Sequence, residues 1–349
     1  MTDFRGIVES VWSGRGKRAR VARTFLSPIE LAYRGIVAGR GWLYDAGLFR
    51  SEDFSAPVLS VGNLSVGGTG KTPVSAWIAR RLAEKGAKPG IVLRGYGGDE
   101  TRVHERLNPG VPIVEAADRA RGIREAIAQG ADVVILDDAF QHRRAARDAD
   151  VVLIDADSWS GATRLLPAGP WREPLRAARR ANLVIVTRKA ASASAVADAR
   201  RAVAAAAPRV PIAVAHLAPA ELHSTSTGQT LPLHALRGAE LMAIAAVARP
   251  DSFFKQLTDL GAIVRPHSFR DHHHFTAREA RELAAESSTS DFVVCTLKDA
   301  VKLESLWPAE AGSLWYVSQR LKVEEGQSQI DRMLDGLLAA ARGTQPKRR

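Results

Sequence analysis

A chain of 349 residues, 46% hydrophobic and 25% charged, has the composition of a folded protein and room for two domains or one large α/β domain with an extension. A formal net charge of +11 calls for an anionic partner, whether nucleic acid, acidic membrane or phosphorylated substrate. One cysteine, Cys295, excludes an intrachain disulfide framework and fits a reducing cytosol, and no Cys/His spacing suggests a structural zinc site.

The N-terminal stretch is basic, with Arg15, Lys17, Arg18, Arg20 and Arg23 ahead of Phe25-Leu26. Apolar residues recur from Pro28 to Tyr44, yet Glu30, Arg34 and Arg40 interrupt them, so the run cannot supply the ~20 apolar residues that cross a bilayer. No small-residue cleavage site follows a clean apolar core, as a signal peptide requires. Basic residues beside an amphipathic helix with Trp42 and Tyr44 suit an anionic membrane interface, and residues 1–45 are read as that segment. The competing reading is a helix packed on the protein's own core with a solvated basic face. The basic tail Lys347-Arg348-Arg349 reads as a frayed end.

Residues 57–73, PVLSVGNLSVGGTGKTP, read as a short apolar strand, a glycine-rich turn and the start of a helix, with Val74, Trp77, Ile78 and Leu82 at helical spacing. Such a turn points backbone N–H groups at one spot beside the positive end of a helix, which suits a polyphosphate. Ser65, Val66, Gly67, Gly68, Thr69, Gly70, Lys71 and Thr72 form the expected cradle. Lys71 would reach the β- and γ-phosphates, and the Thr72 hydroxyl would sit on Mg²⁺. The usual opening glycine is here Ser65.

Beyond this loop, short β-branched runs at residues 91–93, 112–114, 133–136, 151–155 and 183–187 alternate with helical stretches at 119–129 and 190–207. The pattern predicts an α/β fold, a P-loop NTPase-like parallel sheet covered by helices on both faces. Ligands of such sheets lie at the carboxyl ends of the strands. Residues 212–217 and 221–224 read as extended, a ribbon leading out of the first domain at a boundary near residue 215. Residues 46–215 would then be the nucleotide-binding domain, and 216–349 a smaller α/β domain closing over the active site. The second unit would hold strands at 241–247 and 292–296, helices at 253–257 and from Lys298, and a closing helix.

Asp137 and Asp138 follow four apolar residues, as a carboxylate that holds Mg²⁺ or its water should. A helix cap is the plainer reading of Asp138. Asp99, on a glycine-flanked loop after a strand, is a candidate to accept a proton from an attacking hydroxyl, or a turn aspartate bonding its own backbone. In residues 269–276, FRDHHHFT, adjacent histidines point to alternate sides and cannot share one metal ion; one His beside a catalytic carboxylate is the better reading. Thr276 and Glu279 have the spacing of a capping box. In residues 165–174, LLPAGPWREP, Arg172 could clamp a phosphate or pair with Glu173 to stiffen the turn.

These clusters, in this order, resemble the tetraacyldisaccharide 4′-kinase family: VGNLSVGGTGKTP (61–73), RGYGG (94–98), GDE (98–100), DDAFQH (137–142), LLPAGPWREP (165–174), ARPDSFF (248–254), DHHHF (271–275) and TLKDAVKL (296–303). The resemblance implies transfer of the ATP γ-phosphate to the 4′-hydroxyl of a tetraacyldisaccharide 1-phosphate, giving lipid IVA. It also implies two domains joined by a two-stranded linker, at the cytoplasmic face of the inner membrane. Asp99 and His272 then take the places of the family's catalytic pair, with Lys71 and Asp138 completing the catalytic set. Thr72, Asp138 and Asp137 fall to the metal, and Asn63, Gln141, His142, Arg172 and Glu173 to the acceptor. The chain departs from the family pattern at Ala139, Thr101 and Thr163-Arg164, and in the short run from Arg94 to Asp99. The partners expected are the lipid substrate and an anionic membrane surface, with neither nucleic acid nor an obligate protein partner.

A membrane-associated switch ATPase shares the Gly-Gly-x-Gly-Lys-Thr loop, but its signature lysine before the glycine pair is here Val66. A nucleic-acid-binding protein would rest on net charge alone, with no recognised motif.

Overall fold

The structure, a computed structural model, describes residues 11–12, 16–95 and 98–342. Tyr96 and Gly97 of the glycine-rich run, residues 1–10 and 13–15 of the N-terminal segment, Arg15 among them, and the tail Lys347-Arg348-Arg349 lie outside the described residues. A long helix, α1 (Lys17–Asp45), precedes β1 (Val58–Asn63) and α2 (Lys71–Glu84). Then come β2 (Pro89–Leu93), α3 (Asp99–Leu107), β3 (Ile113–Glu115), α4 (Arg119–Ala128), β4 (Val133–Asp137), β5 (Ala149–Asp155) and β6 (Leu183–Arg188). Helix α5 (Ala193–Ala206) leads to β7 (Ile212–Ser224) and β8 (Thr230–Pro232). The remainder runs β9 (Glu240–Ala245), α6 (Pro250–Asp259), β10 (Ile263–Ser268), α7 (Ala277–Glu286), β11 (Phe292–Thr296), α8 (Leu297–Leu303), β12 (Leu314–Glu325) and α9 (Gln327–Arg342).

The strands form one sheet in the order β10-β9-β11-β12-β7-β6-β5-β1-β4-β2-β3, with β8 beside β7. From β3 to β7 every pairing is parallel, and so is every pairing from β10 to β12; the two halves meet where β7 and β12 run antiparallel. Period-two alternation explains why helices cover both faces of the first half. Leu59, Val61, Val133, Ile135, Val151 and Leu153 meet Val74, Ile78 and Leu82 of α2 on one side. Val92, Val114, Val134 and Leu136 meet Ile123 and Ala126 of α4 on the other. The second half repeats the arrangement, with Phe253 and Leu257 of α6 on one face and Ala280 and Leu283 of α7 on the opposite one.

The expected parallel sheet is present, and three local expectations need correction. Asp99 opens helix α3 and does not sit on a loop: its segment carries too many charged residues for an apolar period to show. The two extended segments after residue 211 are one thirteen-residue strand, and its ribbon partner β12 forms where no strand was anticipated. Helix α9, expected with the second unit, packs Ile330, Leu334 and Leu337 into the core of the first, and Asp331 and Asp335 pair with Arg81 and Lys85 of α2.

Candidate active site

Strand β1 lies between β4 and β5, where the crossovers change side, β2 to β4 standing on one flank and β5 to β7 on the other. Its carboxyl end is therefore the switch point at which such sheets hold ligands. Val66 N–H donates to the Pro170 carbonyl at 2.8 Å and Arg172 N–H to that of Leu64 at 2.7 Å, which staples the loop to the proline-rich turn. The Thr187 hydroxyl and the Lys189 ammonium hold the carbonyls of Thr69 and Gly68 at 3.0 and 3.1 Å. Asn63, expected on the acceptor side, donates from its amide to the Thr69 hydroxyl at 3.0 Å. Gly70 caps α2 in the left-handed region at φ 86°, and a Cβ there would lie 2.4 Å from the Leu217 side chain. Lys71 is the first residue of α2, so the positive end of the helix opens onto the loop.

Two cations converge on Asp138. Lys71 Nζ lies 3.5 Å from one carboxylate oxygen, and Arg172 Nη1 lies 3.2 and 3.4 Å from the two. Arg172 therefore does not stiffen its turn by pairing with Glu173. Glu173, expected on the acceptor side, pairs with Arg180 at 2.7 Å. Asp137, one residue earlier, is buried with both oxygens engaged: the Ser75 hydroxyl at 3.2 Å and His104 Nε2 at 2.9 Å. Burial alone would raise the Asp137 carboxyl, but His104, Lys71 and Ser75 together hold it below the ordinary range.

A second cluster joins the two halves. Asp99 is buried at the start of α3, one oxygen accepting from Glu100 N–H at 3.0 Å, as a turn aspartate would. Its other oxygen faces the second half, 3.7 Å from His272 Nδ1 and 3.8 Å from Lys298 Nζ. Lys298 also lies 3.1 Å from His272 Nε2 and 3.5 Å from Glu100. Burial, chiefly, raises the Glu100 carboxyl; Lys298 and His272 oppose the shift while Asp137 and Asp99 add to it. Asp138 at φ 51° and His272 at φ 59° are non-glycine residues in the left-handed region, and both are proposed catalytic groups, where such strain tends to collect. His273 serves structure, donating to the Glu279 carboxylate at 3.1 Å, while Thr276 and Glu279 close the expected capping box.

Gln141 donates to the Asn63 carbonyl at 2.8 Å and its own carbonyl accepts from Arg40 of α1 at 2.7 Å. Burial lowers the neighbouring His142, and Arg119, Arg40, Arg94 and Arg147 lower it further, which marks a strongly cationic wall. Helix α1 docks here on one face only. Glu30 accepts from Leu165 N–H at 2.9 Å, and Tyr33 donates to the Arg172 carbonyl at 3.0 Å. The opposite face leaves Val21, Phe25, Ile29 and Ile36 exposed, Phe25 by 79%. Among the described residues no helix is long and apolar enough to cross a membrane.

Sequence reasoning missed His104 and the position of Lys298 beside Asp99. Lys298 follows the end of β11, the address that drew attention to the other polar clusters. His104 carried no signal: it is a single histidine in a charged segment.

A strand, a glycine loop and a helix at the switch point of a parallel sheet, with a lysine and paired aspartates at its mouth, define a P-loop nucleotide-binding protein. Residues 22–339 match the family model described as Tetraacyldisaccharide-1-P 4'-kinase. The chain is 38% identical to a tetraacyldisaccharide 4'-kinase of Anaeromyxobacter sp. over 95% of its own length and 97% of that protein's. A tetraacyldisaccharide 4'-kinase of Syntrophus aciditrophicus is 36% identical, with 80% and 83% covered. The crystal structure of LpxK from Aquifex aeolicus in complex with ATP superposes with a TM-score of 0.71 at 27% identity, covering 90% of this chain and 99% of that one. The chain belongs to the tetraacyldisaccharide-1-phosphate 4'-kinase family.

Proposed function

We propose that this chain transfers the γ-phosphate of ATP to the 4′-hydroxyl of a tetraacyldisaccharide 1-phosphate, forming lipid IVA in lipid A biosynthesis, with Asp99 as the base. Family membership supports the reaction, and the observation that carries the residue assignment is the meeting of Asp99 with His272 and Lys298 across the two halves. Phosphoryl transfer needs charge neutralisation and positioning more than covalent chemistry. Lys71 and Arg172, now both on Asp138, are the cations that would turn to phosphate oxygens once a nucleotide enters.

Among the described residues no three His, Cys, Asp or Glu side chains assemble into a metal cage. The donors at the loop mouth are a hydroxyl and carboxylates, which suit Mg²⁺ shared between one or two carboxylates and phosphate oxygens. Thr72 and Asp138 would hold it; Asp137, with both oxygens engaged by Ser75 and His104, would orient the arrangement from behind. Bound Mg²⁺ would neutralise charge on the β- and γ-phosphates.

Asp99 takes the acceptor hydroxyl's proton, and His272 and Lys298 stabilise and orient its carboxylate. Because these two come from the second half, closure of that half over the first would bring them up to the carboxylate as the substrates bind. The cationic wall around His142, together with Gln141, receives the acceptor's phosphate. The exposed stripe of α1, on a helix that also leaves Lys17, Arg20 and Arg34 exposed, rests in the anionic cytoplasmic face of the inner membrane, where the acyl chains reside.

The test uses purified protein, Mg-ATP and tetraacyldisaccharide 1-phosphate in detergent micelles, with mass spectrometry following the product. Addition of one phosphate to the distal sugar is expected. ATP hydrolysis stimulated by membranes alone, without product, would instead favour a switch ATPase.

A further inference from the structure

Helix α3 faces two ways. At 3.6 residues per turn, Asp99, Arg102 and Arg106 share one stripe, and all three face the second half. Asp99 meets His272 and Lys298, Arg102 Nη1 donates to the Val301 carbonyl at 2.8 Å, and Arg106 pairs with Glu304 at 2.7 Å. His104 lies five residues after Asp99, about 140° around the helix, and points into the first half. It is fully buried, its Nε2 2.9 Å from Asp137, and its Nδ1 has no hydrogen-bond partner among the described residues. A polar ring sealed in the core with one partner is costly unless that partner matters. The partner is the carboxylate at the end of β4, which Ser75 on α2, one turn beyond Lys71 and Thr72, engages from the other side.

We propose that His104 is a positioning residue: by tying α3 to Asp137 it fixes where Asp99 stands relative to the nucleotide loop. The chain of contacts is Ser75 to Asp137 to His104, then along α3 to Asp99. The link matters because Asp99 is otherwise held by groups of the second half and by its neighbour's backbone. Thr101 ties α3 to Glu115 of β3 at 2.9 Å and Arg80 of α2 reaches the Leu107 carbonyl at its far end at 2.9 Å; the His104 contact references the helix to the end of β4, next to Asp138. Aliphatic packing at this position could fill the space but would set the helix on β4 less closely, by the fraction of an ångström that proton transfer does not forgive.

The inference rests on Asp99 acting as the base, and its test separates the two. His104→Leu removes the bond, and His104→Gln keeps an N–H near the place of Nε2. In the assay above, His104→Leu is expected to lower kcat by about 10- to 100-fold with the KM for ATP within about 3-fold, and His104→Gln to recover most of the loss. Hydrogen exchange of residues 99–107 should quicken in the Leu variant and not in the Gln variant, a readout that needs no turnover. In an Asp99→Asn background, His104→Leu should cost nothing further, because a misplaced base no longer matters. The proposal is overturned if His104→Leu leaves kcat unchanged, if it acts through the KM for ATP alone, or if its effect multiplies that of Asp99→Asn. Wild-type turnover that survives Asp99→Asn would overturn the assignment of the base and leave the exchange result to judge the tie between α3 and Asp137.

Discussion

The two halves of the sheet share an architecture and divide the chemistry. Both are parallel, both are covered by helices on two faces, and both place their polar residues after the carboxyl ends of strands. In the first half the strand at the switch point enters a glycine loop, and the ligand-facing groups are the loop backbone and the helix end behind it. In the second half the ends of β10 and β11 lead to side chains, His272 and Lys298, and these are turned toward a carboxylate of the first. Backbone amides suit a polyphosphate that must be held still while its terminal phosphoryl group is passed on, whereas a proton acceptor needs side chains that orient its carboxylate. Repeating a layer architecture does not repeat a site. What differs is which kind of group stands at the strand ends.

The largest effect should come from setting one half's chemistry against the other's. Asp99→Asn is expected to lower kcat by about 10³-fold while the KM for ATP stays within about 2-fold, since it removes the base and leaves the loop intact. Lys71→Ala should instead cost about 10²- to 10³-fold in kcat/KM for ATP, part of it in KM. Steady-state kinetics with both substrates varied would check the pair, and a matching pattern in the two variants would break the division of labour.

A smaller effect belongs to α1, which docks on the first half through Glu30 and Tyr33 and leaves its other face bare. Phe25→Ser, Ile29→Ser and Ile36→Ser together should weaken binding to anionic vesicles by about tenfold or more, given ~1.5–3 kcal/mol for each large apolar side chain fully buried. Sedimentation with vesicles of graded anionic content measures it; unchanged binding would make the stripe a surface with another purpose.

The smallest effect is a pH dependence at the junction of the halves. Burial raises the Glu100 carboxyl, so the folded state keeps its proton to a higher pH than the unfolded chain does. Stability is then lost as pH rises through the unfolded value toward the folded one, and below both values the penalty is absent. Glu100→Gln should raise Tm by about 1–2 °C at pH 8, with the gain shrinking as pH falls toward 4. A loss of Tm at pH 8 that fades on acidification would mean that Lys298 and His272 outweigh burial at this position.

Much of this was legible in the residues. Glycines at 67, 68 and 70 before Lys71-Thr72, after an apolar strand, permit few structures, because the backbone angles and the missing side chains are local properties. The aspartates after β4 and the capping box of α7 were readable for the same reason. Strand β12 was not, since a ribbon partner some ninety residues away is chosen by pairing and burial and not by its own pattern. Nor was helix α3, whose polar sequence hides its period.

By itself the sequence determined the local devices: the phosphate loop, the paired aspartates, the alternating strands that become a doubly covered sheet, and the family these belong to. Only the tertiary structure decided which devices meet. It set Asp138 between Lys71 and Arg172, paired Glu173 with Arg180, brought Lys298 to Asp99, sent α9 back to the first half and buried His104 against Asp137. The physical reason is range: backbone torsion and side-chain periodicity act over a few residues, whereas the partners of a buried charge are chosen by whichever distant strand or helix the packing brings within about 3 Å.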